Sequence, residues 1–446
     1  MTDLSRLTDA LLTAAKRAGA EQADALAMGG TSLSIDIRAG KLEQAERSEG
    51  TEIGLRVLIG GRQACVSASD VSDATIAALA ERAVAMAREA PEDPYAGLAD
   101  PDQIARDWDL AALDLADPAP EPGAAALEAA ARAVEAAAMA RNGITQVEAS
   151  ASFGRRAMHL AATNGFSGGY ARTSHSLSAV AFTGTGTAME RDWAAEGRIY
   201  ASDMPDPDGI GHLASERALQ RAGAVRPKTG TYPVLFDERV ASSLIGHLLS
   251  ATNGAAIARG ASWLRDALGK QVLPEHLSII EDPHRRRIAA SRPFDAEGLP
   301  TQRRLIVENG VLLGWTLDLA TGRKLGLAST ANAARGASSP PSPSTSNVDL
   351  TPGTASRADL IGQMGTGLLV TSMIGSTISA TTGDYSRGAS GFWVENGQIQ
   401  YPVNECTIAG NLRDMLLRII PANDARAHLS TRVPSLLIDG MTLAGA

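Results

Sequence analysis

Leu4, Leu7, Leu11, Ala14 and Ala15 fall on one side of a 3.6-residue period and predict a helix over 4–19. Period-two alternation follows over 32–38, 50–59 and 63–68, with a turn at Gly60-Gly61. A second helix over 72–89 starts at Ser72 or Asp73, whose side chains can accept from the exposed N–H groups of a first turn. Residues 1–90 thus predict an α+β unit with an antiparallel sheet. Pro, Asp and Ala crowd 91–123, which predicts a linker. The pattern then recurs over 124–226. An Ala-rich helix over 124–141 stops at Asn142-Gly143, strands follow over 144–152, 156–163, 168–182 and 187–201, and a helix over 207–223 closes the unit. The closing helices resemble each other as text, Leu79-Ala80-Glu81-Arg82-Ala83 against Ala214-Ser215-Glu216-Arg217-Ala218, which points to an internal duplication.

From 227 to 446 the chain is strand-rich. A short strand over 232–236 leads into a helix that runs from Asp237-Glu238 to Ala251 and ends at Asn253-Gly254. Val-Glu-Asn-Gly occurs twice, at 307–310 and 394–397, and each copy predicts a two-residue hairpin, because Asn and Gly best tolerate the positive φ of a type I′ turn. Residues 328–347 are low-complexity Ala, Ser and Pro and predict a mobile surface loop. The apolar run 360–380, broken by Gln363, Thr366, Ser372 and Ser376, predicts a buried strand pair. The expected class is α+β: an N-terminal lobe of two similar antiparallel-sheet/helix units, then a strand-rich C-terminal lobe with hairpins.

Composition narrows the function classes. Among 446 residues the net charge is −9, which disfavours a nucleic-acid binder, since phosphate neutralisation needs a basic stripe. Two cysteines, Cys65 and Cys406, supply neither a disulfide framework nor a four-thiolate site. No apolar signal-peptide core is evident at the N-terminus, so a cytoplasmic protein is expected.

Candidate chemistry is sparse. Gly165-Phe166-Ser167-Gly168-Gly169 matches a hydrolase elbow, with His175 nearby, but alternating strand text follows where a helix is required. Gly184-Thr185-Gly186 lacks the third glycine and the helix of a dinucleotide fingerprint. His276, Glu281, Asp282 and His284 are spaced too irregularly to converge on a metal, and Cys406 lies in strand text that predicts a buried thiol. Gly383-Asp384-Tyr385-Ser386-Arg387-Gly388 predicts a polar loop ahead of the second hairpin.

Several blocks resemble one known family in the same order: Lys41-Leu42-Glu43, Gly54-Leu55-Arg56-Val57, Gly269-Lys270-Gln271-Val272, Arg323-Lys324-Leu325-Gly326-Leu327 and the stretch 381–412. The chain resembles the TldD/TldE (PmbA) proteins, most closely the TldE/PmbA branch. In the TldD branch a helix carries His-Glu-x-x-x-His, two imidazoles for zinc and a carboxylate base for the bound water. Laid on Leu244-Ile245, that motif puts Gly246 and Ala251 in the histidine slots and His247 in the glutamate slot. The family's further ligand, a cysteine near the C-terminus, should fall at about 424–433, where this chain has none. The resemblance therefore implies a chain with no catalytic or metal-ligating residue and no cofactor of its own. Zinc is expected in a TldD-like metallopeptidase partner, and the pair in peptide processing and proteolysis on unfolded peptides. Asp384, Tyr385 and Arg387 are then the candidates for peptide or partner contact. The family also carries the label of DNA gyrase modulator. The resemblance leaves open a self-sufficient homodimeric metallopeptidase with other ligands, or a non-enzymatic peptide-binding scaffold.

Overall fold

A computed structural model describes residues 3–446. Helix α1 (Leu4–Ala18) is capped by Asp3, whose carboxylate accepts from the Ser5 and Arg6 N–H groups, and ends at Gly19 with φ 101°. A meander of β1 (Gln22–Arg38), β2 (Lys41–Ile59) and β3 (Arg62–Ala68) follows, then α2 (Asp73–Glu89). Residues 90–123 are irregular except for one turn, α3 (Leu110–Leu113). The second unit holds α4 (Ala124–Met139), β4 (Ile144–Ala162), β5 (Ser167–Thr183), β6 (Glu190–Arg198) and α5 (Pro207–Gln220).

The six strands form one sheet in the order β3-β2-β1-β4-β5-β6, symmetric about the β1–β4 seam. That seam is antiparallel from Asp24↔Ala162 to Arg38↔Glu148 without a register break. Ala23, Ala25 and Ala27 of β1 pack under α1 and α2, and Leu33, Ile35 and Ile37 under α4 and α5. All six are odd-numbered on one unbroken strand, so both helix pairs cover the same face. The opposite face meets the C-terminal lobe at Leu26, Leu58 and Leu160 and is bare at its centre.

The C-terminal lobe runs β7 (Gly230–Phe236), α6 (Glu238–Ala251), α7 (Gly254–Ala258), β8 (Ile279–Glu281), β9 (Arg304–Glu308), β10 (Val311–Leu312), α8 (Leu319–Leu325), β11 (Ala333–Ala334), β12 (Ser342–Pro343) and β13 (Val348–Leu350). It continues with α9 (Arg357–Met364), β14 (Gly367–Ile378), β15 (Asp384–Glu395), β16 (Gln398–Asn411), α10 (Leu412–Leu416), β17 (Ile420–Pro421), β18 (Thr431–Arg432) and β19 (Leu436–Ala444). Its main sheet has the order β16-β15-β14-β7-β19-β17, and an extra β16–β19 pairing curls it around α6, whose Leu244, Ile245 and Leu248 fill the core. Both Asn-Gly hairpins form with positive φ at each turn residue: 49° and 82° at Asn309-Gly310, 53° and 72° at Asn396-Gly397.

Four local expectations are corrected. The text over 144–163 is one strand, β4, because pairing to β1 continues through the Gly154 step. Residues 360–380 are helix then strand: Ser356 and Asp359 form a capping box that starts α9, and Gly365 at φ 65° ends it. Asp384 onward is strand β15, paired on both sides, and no loop. Residues 328–347 are wedged between the lobes, with Ala333 and Asn347 fully buried. Arg292 donates to the Ala333 and Ser344 carbonyls there, and Ala337 lies so close to Gly54 that a Cβ on Gly54 would collide with it.

Candidate functional site

Helix α6 forms because Asp237 caps it and its apolar residues recur at helical spacing. Gly246 faces open space, so a side chain would fit there, but the glycine offers no donor. Ala251 is buried and equally inert. The His247 ring lies edge-on to Tyr385, with centroids 6.0 Å apart, and its buried Nε2 has no hydrogen-bond partner. Burial, then the Arg387 charge, push the His247 pKa down, so the imidazole is held neutral. Zinc does not fit this set: one imidazole stands alone, and the neighbouring charge is a guanidinium. Among the described residues no group of three or more His, Cys, Asp and Glu is arranged to hold a metal.

The sequence candidates scatter. Asp384 is exposed, accepting from Thr382 Oγ1 at 2.6 Å and from Asn411 Nδ2 at 3.0 Å. Tyr385 is buried, its hydroxyl on the Met373 sulfur and its own pKa pushed up to about 12 by burial. Arg387 is half-buried and donates from Nε to the Gly375 carbonyl at 2.8 Å. So Arg387 and Tyr385 share the His247 corner, while Asp384 turns toward the strand's end. Cys406 donates to the Ala389 carbonyl at 3.1 Å, and burial pushes its thiol up to about 11, which leaves no thiolate.

The stretch 424–433, where the family resemblance places a cysteine ligand, contributes a histidine instead. His428 Nε2 sits 3.1 Å from Glu196 Oε2 of β6, and Arg426 bonds the same carboxylate and lies 3.9 Å from Glu238 at the start of α6. This is a fastening between lobes, and its partners lie too far apart in the chain for the sequence to pair them. His284 pairs with Thr301, and buried Glu281 is consumed by Asn332, Ser346 and Arg304, so that cluster does not converge. Ser167 opens strand β5, and His175 faces Asp117 at 3.5 Å instead of the serine.

Two large open spaces stand out among the described residues. A trough of about 990 Å³ lies on the uncovered centre of the N-terminal sheet, with a floor of Gly30, Ser32, Ser34, Gly50, Ser152 and Gly154. Arg156 and Arg172 stand on one margin, and Glu52 on the other. A cleft of about 910 Å³ separates β6 from β14–β16, rimmed by exposed Met189, Trp193 and Ile374. Between these spaces the lobes are locked by buried charge. Asp24 accepts from Arg56 Nε at 2.6 Å and pairs with fully buried Arg335, and Arg239 of α6 pairs with Asp192 of β6 at 2.9 Å.

Three family models cover most of the chain. Residues 229–445 match the PmbA/TldA metallopeptidase C-terminal domain, 23–87 match domain 1, and 114–222 match the central domain. The chain is 38% identical to the metalloprotease PmbA of Escherichia coli O157:H7, over 97% of this chain and 94% of that one. It is 35% identical to a PmbA homolog of Haemophilus influenzae, over 93% and 90%. A solved Bacteroides thetaiotaomicron structure, proposed to be a modulator of DNA gyrase, superposes with a TM-score of 0.92 at 26% identity and full coverage of both chains. TldE of Thermococcus kodakarensis shares the fold, with a TM-score of 0.85 at 17% identity over 98% of this chain and all of that one. The chain belongs to the PmbA/TldA (TldD/TldE) metallopeptidase family.

Proposed function

We propose that this chain is the zinc-free subunit of a two-protein peptidase and that a TldD-like companion brings the metal and the hydrolytic chemistry. The observation that carries this is α6 itself: the helix is intact, but Gly246, His247 and Ala251 give one neutral imidazole where hydrolysis needs a set of donors and a carboxylate base. The family relationship supports a partner-subunit role. In this reading the chain walls a chamber for unfolded peptide, and the Ser- and Gly-lined trough is a surface past which varied side chains can move. Exposed Asp384 and half-buried Arg387 contact the peptide or the companion, and buried Tyr385 acts by holding Arg387's strand. No described helix is long and apolar enough to cross a membrane, and the net charge of −9 favours a peptide over nucleic acid as the ligand. The experiment is reconstitution. The purified chain alone is expected to hold no stoichiometric zinc and to cleave nothing. Mixed with a TldD-like protein from the same genome, it should raise peptide cleavage, with zinc tracking the companion. Chelatable stoichiometric zinc in this chain alone, lost together with its own peptidase activity, overturns the proposal.

A further inference from the structure

The two units of the N-terminal sheet leave the same stretch of strand unpaired, and only one of those stretches is covered. Strand β6 pairs with β5 from His175 to Thr183, so the outer edge of 167–174 is left to other parts of the chain. Residues 108–117 fill that position. Trp108 lies against Gly168, the Leu115 carbonyl accepts from the Thr173 N–H at 3.0 Å, and the Asp117 N–H donates to Thr173 Oγ1 at 2.8 Å. The cover is an irregular loop and not a strand: Leu113 ends α3, Asp114 caps it at φ 49°, and Leu115 and Asp117 beyond it are buried against β5.

In the first unit β3 pairs with β2 only from Ile53 to Ile59. The outer edge of 41–52 faces no strand, and no side chain among the described residues bonds its backbone groups. Ser48, Thr51 and Glu52 of this edge form the margin of the trough, together with Ser67 and Ser69 at the end of β3. A bulge at Glu43 interrupts the ladder with β1, which leaves 44–52 as the regular part of the edge.

We infer that residues 44–52 of β2 take an extended peptide by strand addition, in line with β3, as the vacant twin of the position that the loop at 115–117 covers on β5. The inference rests on the peptide-handling reading above and names the place where the peptide lies. Main-chain hydrogen bonds would supply affinity with little regard to sequence. Side chains on one face would overhang the Ser and Gly floor, which excludes few shapes. Between 41 and 52 the edge carries Glu43, Glu46, Glu49 and Glu52 against Lys41 and Arg47, so neutral or basic peptides are favoured over acidic ones. A second copy is a poorer occupant, because in antiparallel self-pairing its own β3 would run against the β1–β2 turn at Ala39-Gly40 once the full edge is engaged.

The test uses the isolated full chain and a fluorescein-labelled Val/Thr/Lys peptide long enough to span 44–52. Two further versions of the peptide carry N-methyl groups on one or the other alternate set of residues. A strand-added peptide uses only one set of N–H groups toward the edge, so one methylated version should bind about tenfold or more weaker and the other within about twofold of the parent. Amide hydrogen exchange should slow at 44–52 when the parent peptide is added. Equal loss from both versions, protection confined to another region, or protection at 44–52 that grows with protein concentration in the absence of peptide overturns the inference. Reconstitution with the companion is independent of this binding assay. Failure there with the N-methyl asymmetry intact removes the partner-subunit reading alone, and the reverse outcome removes the edge alone.

Discussion

In the first unit of the N-terminal sheet the charges that fasten it to the C-terminal lobe are sealed, while its outer strand edge is bare. In the second unit the edge is sheathed by the chain's own linker, and beside the buried Arg239–Asp192 pair it has a second fastening, at Glu196, that lies nearer solvent. The side chains of Asp24, Arg56 and Arg335 are each exposed by 4% or less, whereas Glu196, His428 and Arg426 stand at 16%, 24% and 25%. The difference teaches where duplicated architecture is free to diverge. Helix placement and strand order are fixed by the apolar face that both units must bury, but an edge or a polar contact can be filled or left vacant without disturbing that face.

The sharpest way to break the comparison is at Asp24. Asp24→Asn leaves the Arg56 and Arg335 guanidinium groups buried without their carboxylate, a loss of about 3–5 kcal/mol. Denaturant unfolding should show a large drop, whereas Glu196→Gln in the more accessible fastening of the second unit should show a clearly smaller one. A comparable drop for both would mean that the second fastening is as sealed as the first. Next in size is the edge itself. Leu115 is buried on β5's side, and Leu115→Ala should cost about 2–5 kcal/mol. Leu42 on the bare edge is 47% exposed, and Leu42→Ala should stay within about 0.5 kcal/mol. If Leu42→Ala were equally damaging, the β2 edge would be covered in solution.

The reach of the sequence follows the same division. Helices α1, α2, α4 and α6 were legible because their burial is periodic, and both hairpins because only Asn and Gly sit easily at two successive positive φ values. On α6 it is the family resemblance, and not the residue pattern, that marks Gly246, His247 and Ala251 as places where donors would be looked for. What could not be read depends on contacts far apart in the chain. Arg335 sits in Ser/Pro-rich text that reads as surface, yet it is buried on Asp24, a residue of the first strand. Tyr385 reads as part of a polar loop, but β14 and β16 pair on either side of it and turn it into the core. Nor does residue text say that β3 stops opposite Ile53, which is what leaves the edge vacant.

Titration offers a gentler test of the sealed fastening. Burial, then neighbouring Asp295, push the Glu297 carboxyl up to about 8, against the pull of Arg56. A carboxyl with a raised folded pKa keeps its proton in the folded chain while the unfolded chain loses it near the ordinary value of about 4.3. Its contribution is therefore greatest below that value, declines as pH rises toward about 8, and is flat beyond. The thermal midpoint of Glu297→Gln should fall less than that of the parent chain across this range. Parallel profiles would place the ionised carboxylate in the native state at neutral pH.

The smallest effect belongs to the accessible fastening and runs in the opposite direction. Burial first, and then Arg198, lower the His428 pKa, while Glu196 pulls it up and Arg426 pushes with Arg198. Folded His428 thus binds its proton less readily than it does in the unfolded chain, where the ordinary value is about 6.5. Its contribution is complete above that value and is lost as pH falls through the lowered one, because the unfolded state then takes up a proton that the folded state resists. In His428→Gln the acid-side decline should be shallower by a small margin, since the side chain is about one quarter exposed and water screens the charges around it. The two fastenings would then respond to pH with opposite signs, the first unit loosening toward alkali and the second toward acid. Profiles for Glu297→Gln and His428→Gln that flattened on the same side of neutrality would mean that the Asp24 and Glu196 fastenings rest on the same electrostatics, and that their different burial has no energetic consequence.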